Sequence, residues 1–447
     1  MDRIILLGLV LAVGLLILGF GGRSAAFTAE EVLETTLPNG LTVLLLENRK
    51  APVVTSQIWY NVGSRDEPLG QSGLTHLVEH LMFRGTETVG PKMFSRVIQK
   101  NGGQDNAFTS RDYTAYFENI ASDRLAIALD LESDRMTGLT VDEQKFQTER
   151  LVVQEERRLR IKDDPVASLY EELGAVAFKS HPYKRPVIGW MEDLEGLTHA
   201  DFLSFYRRFY QPGNAVLVVV GDFQKETLLP LVRETFGKIP PGKPIVRIKI
   251  QEPPQEAEKR ITMRRQEARL PYVALVYHVP AFPHPDAFPL EVMSQILAGG
   301  KSSRLYRKMV YEEQLALSTG ADFPFNSRDP HLFYVSAQAL PGKSAEQIEQ
   351  RLHQEITDWG KTPPTPDEIE RAKNQIEASY IFGQDSIFYQ GLLLGKNQTL
   401  GSWRDIEKFL PGIRAVNQDD LLRVYRTYFQ PTNLTVGVLL PSEGKPQ

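Results

Sequence analysis

The chain has 447 residues, 24% of them charged and 42% hydrophobic, with 51 basic and 56 acidic side chains and a net charge of −5. That balance suits an ordinary folded enzyme with two or more domains, and it lacks the basic surplus that nucleic-acid binding requires. There is no cysteine, which excludes disulfides, a lipidated N-terminal cysteine and thiolate ligands, so any metal site must use histidine and carboxylate.

Residues 1–26 begin Met1, Asp2, Arg3, run apolar from Ile4 to Phe20 and end Ser24, Ala25, Ala26. The apolar run lies between a signal-peptide core and the roughly 20 residues needed to span a bilayer. Ser24 and Ala26 supply a small-x-small cleavage pattern, so a removed signal peptide is expected ahead of a retained membrane anchor. A mitochondrial presequence would be Arg-rich and amphipathic, and this segment is neither. An exported bacterial protein is expected, periplasmic or anchored on the extracytoplasmic side.

Glu34 to Leu46 and Val53 to Val62 read as strands, with Pro38, Asn39 and Gly40 turning the chain within the first. Leu74 to Phe83 then reads as a short helix, with Ser72 to cap its start and Gly85 to end it. At about 100° per residue, His76, Glu79 and His80 share one sector of that helix. Two imidazoles at i and i+4 suit a zinc ion, and a glutamate between them suits a base. The order H-x-x-E-H inverts the commoner H-E-x-x-H. Two core-edge histidines and a surface glutamate on an ordinary amphipathic helix would give the same five residues.

Phe94 to Lys100 reads as a further helix, broken by Gly102 and Gly103 before two short strands, Asn106 to Ser110 and Asp112 to Phe117. From Thr140 to Arg160 another helix is expected, with Thr140 and Glu143 as a capping box. On it Glu149, Val152, Val153 and Glu156 share a face, and carboxylates on an apolar face are costly unless a cation meets them. Glu149, Glu155 and Glu156 would equally pair with Arg150, Arg157 and Arg158 on a solvated face.

The stretch Asp201 to Asn214 recurs nearly half the chain later as Asp420 to Asn433, and each copy runs into an apolar strand, Ala215 to Val220 or Leu434 to Leu440. Two copies of one α+β domain follow, over 27–238 and 255–441, joined by a Pro-rich linker at 239–254 and ending in a tail at 442–447. The second copy has no metal motif, since the same interval counted on from His76 reaches Gln295. His181, His199, His278, His284, His331 and His353 have no ligand partners at useful spacing and are read as structural or surface histidines. The run Gly299 to Arg304 lacks phosphate-loop spacing.

With these residues in hand, the chain resembles the insulinase/pitrilysin-type zinc peptidases, the inverzincins, and within them the half-length group that includes the mitochondrial processing peptidase. The family's H-x-x-E-H is followed, well downstream, by a glutamate in an E-R-x-V-x-x-x-E context. Here Glu156 stands at the family's spacing from His80, in the run that starts at Glu149. The resemblance implies one zinc ion per chain on His76, His80 and Glu156, with Glu79 activating a zinc-held water and Glu149 supporting the ligands from behind. It implies substrate contacts at Asn106, Ala107 and Phe108, where an extended peptide adds to an exposed sheet edge and Phe108 lines an apolar pocket. It implies two mostly antiparallel sheets, each with helices on one face.

The function implied is hydrolysis of peptides or unfolded segments by a zinc metalloendopeptidase. The alternative is a non-catalytic assembly or processing-complex subunit that keeps the metal motif. One departure bears on partners. Full-length relatives carry an R-x-x-x-x-x-x-Y pattern in the half that lacks zinc. Here, aligned on Glu313, Gln314 and Leu315, Val310 and Leu317 stand in those places. Neither donates a hydrogen bond, so a heterodimer with a zinc-free homologue that carries the arginine and tyrosine is expected, ahead of a homodimer using Tyr306 or Arg307.

Overall fold

Two β-sheets organise the molecule, and the computed structural model describes residues 27–247 and 249–442. The first sheet contains β1 (Val32–Thr36), β2 (Thr42–Glu47), β3 (Val53–Tyr60), β4 (Gln104–Thr109), β5 (Thr114–Ala121) and β6 (Ala215–Gly221), in the order β1-β2-β6-β3-β5-β4. The second contains β7 (Lys259–Arg265), β8 (Tyr272–Val279), β9 (Ala316–Asp322), β10 (His331–Ala339) and β11 (Leu434–Pro441), in the order β7-β11-β8-β10-β9. All pairings are antiparallel except β2 with β6 and β7 with β11. The two sheets therefore repeat one plan, with β1 added to the first.

The helices of the first half are α1 (Leu74–Leu81), α2 (Met93–Lys100), α3 (Leu125–Thr137), α4 (Glu143–Arg157), α5 (Pro165–Ala177), α6 (Met191–Gly196), α7 (His199–Phe209) and α8 (Lys225–Thr235). Those of the second are α9 (Ala287–Ala298), α10 (Ala345–Lys361), α11 (Pro366–Gly383), α12 (Ile387–Leu400), α13 (Ile406–Ala415) and α14 (Gln418–Tyr428). The sequence repeat maps onto α7–β6 and α14–β11, and its asparagines do the same work in both. Asn214 Nδ2 donates to the Phe209 carbonyl at 2.8 Å, and Asn433 Nδ2 to the Tyr428 carbonyl at 2.7 Å. Each side chain occupies an orphan carbonyl at a helix end just before the strand begins.

The central strands are buried on both faces, which is why β6 reads as an unbroken apolar run. Leu217 and Val219 face the first half's own helices with Leu77, Val78 and Phe202, while Val216, Val218 and Val220 face the other way with Trp59. Helices on one face describes only each half's own helices, because the opposite face is covered by a helix from the other half. Leu394 of α12 packs on Trp59 and Val218, and Leu169 and Leu173 of α5 pack on Ala274, Val276 and Leu439. Gly391 and Gly395 bring α12 close enough for Gln57 Nε2 to reach the Phe388 carbonyl at 3.0 Å.

Between Lys238 and Lys259 the described residues hold no helix or strand. Arg247 ties this stretch down, donating to the Asn61 carbonyl and, at 2.9 Å, to Asn214 Oδ1. The N-terminal segment 1–26 lies outside the described residues, among which no helix is long and apolar enough to cross a membrane.

Candidate metal centre

The site is built on α1, which buries Leu74, Leu77, Val78 and Leu81 and leaves His76, Glu79 and His80 along a cavity. Its start differs from the sequence expectation. Ser72 is not the cap: its hydroxyl accepts from the Trp190 N–H at 2.8 Å and donates to Asp193. The first-turn donors go instead to Glu67, which accepts from the Gly73 N–H at 3.1 Å and the Thr75 N–H at 2.8 Å. Gly73 has φ +86°, and a Cβ there would lie 2.6 Å from the Ile188 carbonyl oxygen, so glycine is required. Burial raises the Glu67 carboxyl to about 8 against the pull of those donors. The helix stops at Leu81, short of Phe83.

Glu149 and Glu156 arrive on α4. Its cap is Asp142, which accepts from the Lys145 N–H at 2.8 Å, in place of the expected Thr140 and Glu143 box. Of the two valines expected between the carboxylates on one apolar face, Val153 is buried but Val152 is 43% exposed, so that face is narrower than anticipated. Of the expected surface pairs Arg158 with Glu155 forms, at 2.9 Å, and Glu156 Oε1 pairs instead with the exposed Arg160 at 3.0 Å. Arg157 holds Glu171, and Arg150 donates to the Glu195 and Leu197 carbonyls.

Glu156 Oε2 lies 3.2 Å from His80 Nε2 and 3.9 Å from His76 Nε2, and one ligand atom from each of the three residues falls within 4.8 Å of the others. Donors around a tetrahedral zinc ion stand roughly 3.3 Å apart, so this set fits that ion with modest closure and leaves a fourth position open. Glu149 is buried behind the set. Its Oε1 is 2.9 Å from His80 Nδ1, and its other oxygen meets Arg84. A neutral His80 donating from Nδ1 has its Nε2 lone pair free for a metal. Burial opposes charge on His80, but the carboxylates of Glu149 and Glu156 prevail and raise it to about 9. Burial, together with His80, lowers His76 to about 4.

Glu79 stands apart from the three ligand candidates and accepts from Thr109 Oγ1 at 2.5 Å. Burial raises its pKa, with the Thr109 bond opposing, which makes it a stronger base than a solvated carboxylate. Thr109 ends β4, the edge strand of the first sheet, which among the described residues pairs with β5 alone. Asn106, Ala107 and Phe108 on β4 line the same cavity, and the Phe108 ring packs edge-on against Trp59 at 5.5 Å.

The cavity holds about 960 Å³ and draws its walls from both halves. Besides the α1 and β4 residues it is lined by Arg111, by Tyr170 of α5 and by Asp322, His331 and Tyr334 from β9 and β10. His331, expected as a structural or surface histidine, is buried in this wall, where burial and Arg111 push its pKa down to about 3. No local spacing in the sequence signals that position. Thr109 lies within the expected strand Asn106 to Ser110, and nothing in the sequence links it to Glu79. Val310 and Leu317 do not line the cavity; Leu317 is 52% exposed on β9.

A family model described as "Insulinase (Peptidase family M16)" matches residues 42–190, and one described as "Peptidase M16 inactive domain" matches residues 196–376. The zinc protease PqqE of Helicobacter pylori is 32% identical over 416 residues, covering 91% of this chain and 92% of its own. A probable mitochondrial-processing peptidase subunit beta of Schizosaccharomyces pombe is 28% identical over 379 residues, 81% of each chain. The crystal structure of a protease from Helicobacter pylori superposes with a TM-score of 0.89 at 30% identity, covering 92% of this chain and 99% of that one. The periplasmic protease PqqL of Escherichia coli shares the fold at 18% identity and a TM-score of 0.77, with this chain covering 48% of it.

Proposed function

Since the chain belongs to the insulinase (M16) peptidase family in its half-length form, we propose that it is a zinc-dependent endopeptidase acting on peptides or unfolded segments. The observation that carries this reading is the convergence of His76, His80 and Glu156 from α1 and α4 beside a separate, buried Glu79. His76, His80 and Glu156 would hold the ion, and Glu149 would fix His80 in the ligating tautomer. When bound, zinc supplies Lewis acidity that polarises a carbonyl and acidifies water. Glu79 takes the proton of the attacking water and returns it to the leaving amine, held in position by Thr109. The free edge of β4 offers main-chain donors and acceptors to an extended chain, whose side chains then reach Asn106, Ala107 and Phe108.

The finer expectations belong to the same proposal. Residues 1–26 direct export, as a cleaved signal peptide or an anchor, and the active assembly pairs this chain with a zinc-free homologue that carries the missing arginine and tyrosine. The decisive experiment is Glu79→Gln, assayed on a peptide library with and without a chelator. The variant is expected to retain stoichiometric zinc while hydrolysis disappears. Undiminished hydrolysis in it would defeat the mechanism.

A further inference from the structure

A second cavity, of about 370 Å³, lies within the second half, between α9, α11, α12, α13 and the turn that joins β9 to β10. Much of its wall is an aromatic box. Phe282 stacks on Phe325 at 5.5 Å, Phe325 meets Phe409 edge-on at 5.0 Å, and Phe409 meets Tyr380 at 5.0 Å. Three charged side chains also line it: Asp405, which pairs with Lys408 at 2.7 Å, and Glu291 of α9 and Lys396 of α12. Among the described residues no hydrogen bond or ion pair within 4.0 Å engages Glu291 or Lys396, although each acts on the other through space and Asp112 acts more strongly on Lys396. Burial raises the Glu291 carboxyl to about 7, with Asp322 adding and Lys396 opposing, and burial lowers the Lys396 ammonium.

Glu291 and Lys396 are both partly buried at an aromatic wall with no close partner of opposite charge, which leaves each charge partly desolvated at some cost. A ligand that brings the complementary pair of charges and an apolar body removes that cost. An internal stretch of peptide brings no such pair, and a larger peptide does not fit a volume near the low end of ligand pockets. We propose that this cavity binds a free α-amino acid with an aromatic or large apolar side chain. Its carboxylate meets Lys396, its ammonium meets Glu291, and its side chain lies against the phenylalanines, with the ammonium also near ring faces that attract cations. Pro324 lines both this cavity and the one beside the metal centre, so the two meet across the turn that follows Asp322. The inference does not depend on the peptidase reading.

The test is calorimetric titration of the purified full chain with L-phenylalanine and L-leucine. 3-Phenylpropionate and 2-phenylethylamine, which each lack one charge, serve as probes of the two ends. Saturable one-to-one binding of the amino acids is expected, weakened about tenfold or more in both K396M and E291Q and when either charge is missing from the ligand. Leu393→Trp, which fills the cavity from α12, should abolish binding while zinc content and the thermal unfolding profile stay as in the parent. Absence of amino-acid binding to the parent chain overturns the proposal. So does binding that K396M and E291Q leave intact, or equal binding of phenylpropionate and phenylalanine.

Discussion

The Nδ1 nitrogen of His80 lies 2.9 Å from Oε1 of Glu149, a contact that joins α1 to α4 and fixes which ring nitrogen of His80 is left for a metal. Glu149 makes its hydrogen bond and ion pair with His80 and Arg84 and not with His76 or Glu156, so its effect on a bound ion passes through the orientation and basicity of His80. Removing such a partner typically weakens metal binding by 10- to 100-fold. Glu149→Ala is therefore expected to lose about that much zinc affinity in competition with a chromogenic chelator. An unchanged affinity would show that the contact has no part in holding the ion.

Glu67 makes a second kind of prediction, about pH. Its folded-state pKa of about 8 stands above an unfolded value near 4.5, because burial penalises the anion. The folded chain thus binds this proton more tightly than the unfolded chain. The stabilisation from that proton is fully present below about pH 4.5 and is lost as pH rises through about 8. The unfolding free energy of the parent chain, from denaturant titrations, should fall relative to that of E67Q across that window, by an amount on the order of a few kcal/mol at most. Parallel profiles for the two proteins would remove Glu67 as the titrating group.

What could be read in the sequence and what could not divides along physical lines. The convergence of His76, His80 and Glu156 was legible because His76 and His80 are one helical turn apart, and Glu156 stands in a run of its own on a second helix. The two sheets were legible because the Gln-Pro turn with its asparagine recurs, and Asn214 and Asn433 make the same bond. The helix starts near Ser72 and Thr140 were not legible, since any serine or threonine in the right place looks like a cap. Ser72 is already engaged with Asp193, and a glutamate upstream of Gly73 supplies the acceptor. The exchange of α5 and α12 between sheets was invisible, because an apolar helical face says that it packs but not on what. His331 belongs to the same class, brought into the cavity wall by β10 of the other half.

That exchange of helices can be tested at Gly395 of α12. A Cβ there would lie 2.1 Å from Trp59 Nε1, and the ring is buried between sheet and helix with no space to retreat. Gly395→Ala is expected to destabilise the chain by about 1–3 kcal/mol, the usual cost of overpacking. Gly174 of α5 is the control. It is also helical, a Cβ there meets nothing within 4 Å, and Gly174→Ala should stabilise by about 0.4–1 kcal/mol. Opposite signs in urea unfolding support the close approach of α12, whereas a neutral Gly395→Ala would contradict it.

The last prediction concerns the proposed partner. The cavity beside Glu79 is open, and the positions that align with the family's arginine and tyrosine are Val310, on the helical turn Tyr306–Glu312, and the exposed Leu317. Neither can donate to a substrate carbonyl, and a homodimer would duplicate the metal centre without adding either donor. Loss of one donor to a developing oxyanion typically costs about 2.7–4 kcal/mol, which is about 10²- to 10³-fold in rate. Purified alone, the chain should take up one zinc ion per molecule yet cleave a flexible reporter peptide slowly. Mixed with a zinc-free homologue that carries both residues, it should form a one-to-one complex by light scattering, and kcat/KM should rise by about 10²- to 10³-fold. Replacing the homologue's arginine should return the rate to that of the isolated chain without dissolving the complex. Full activity of the isolated chain, at a rate that the homologue does not change, would rule the partnership out and leave Glu79 and its neighbours sufficient by themselves.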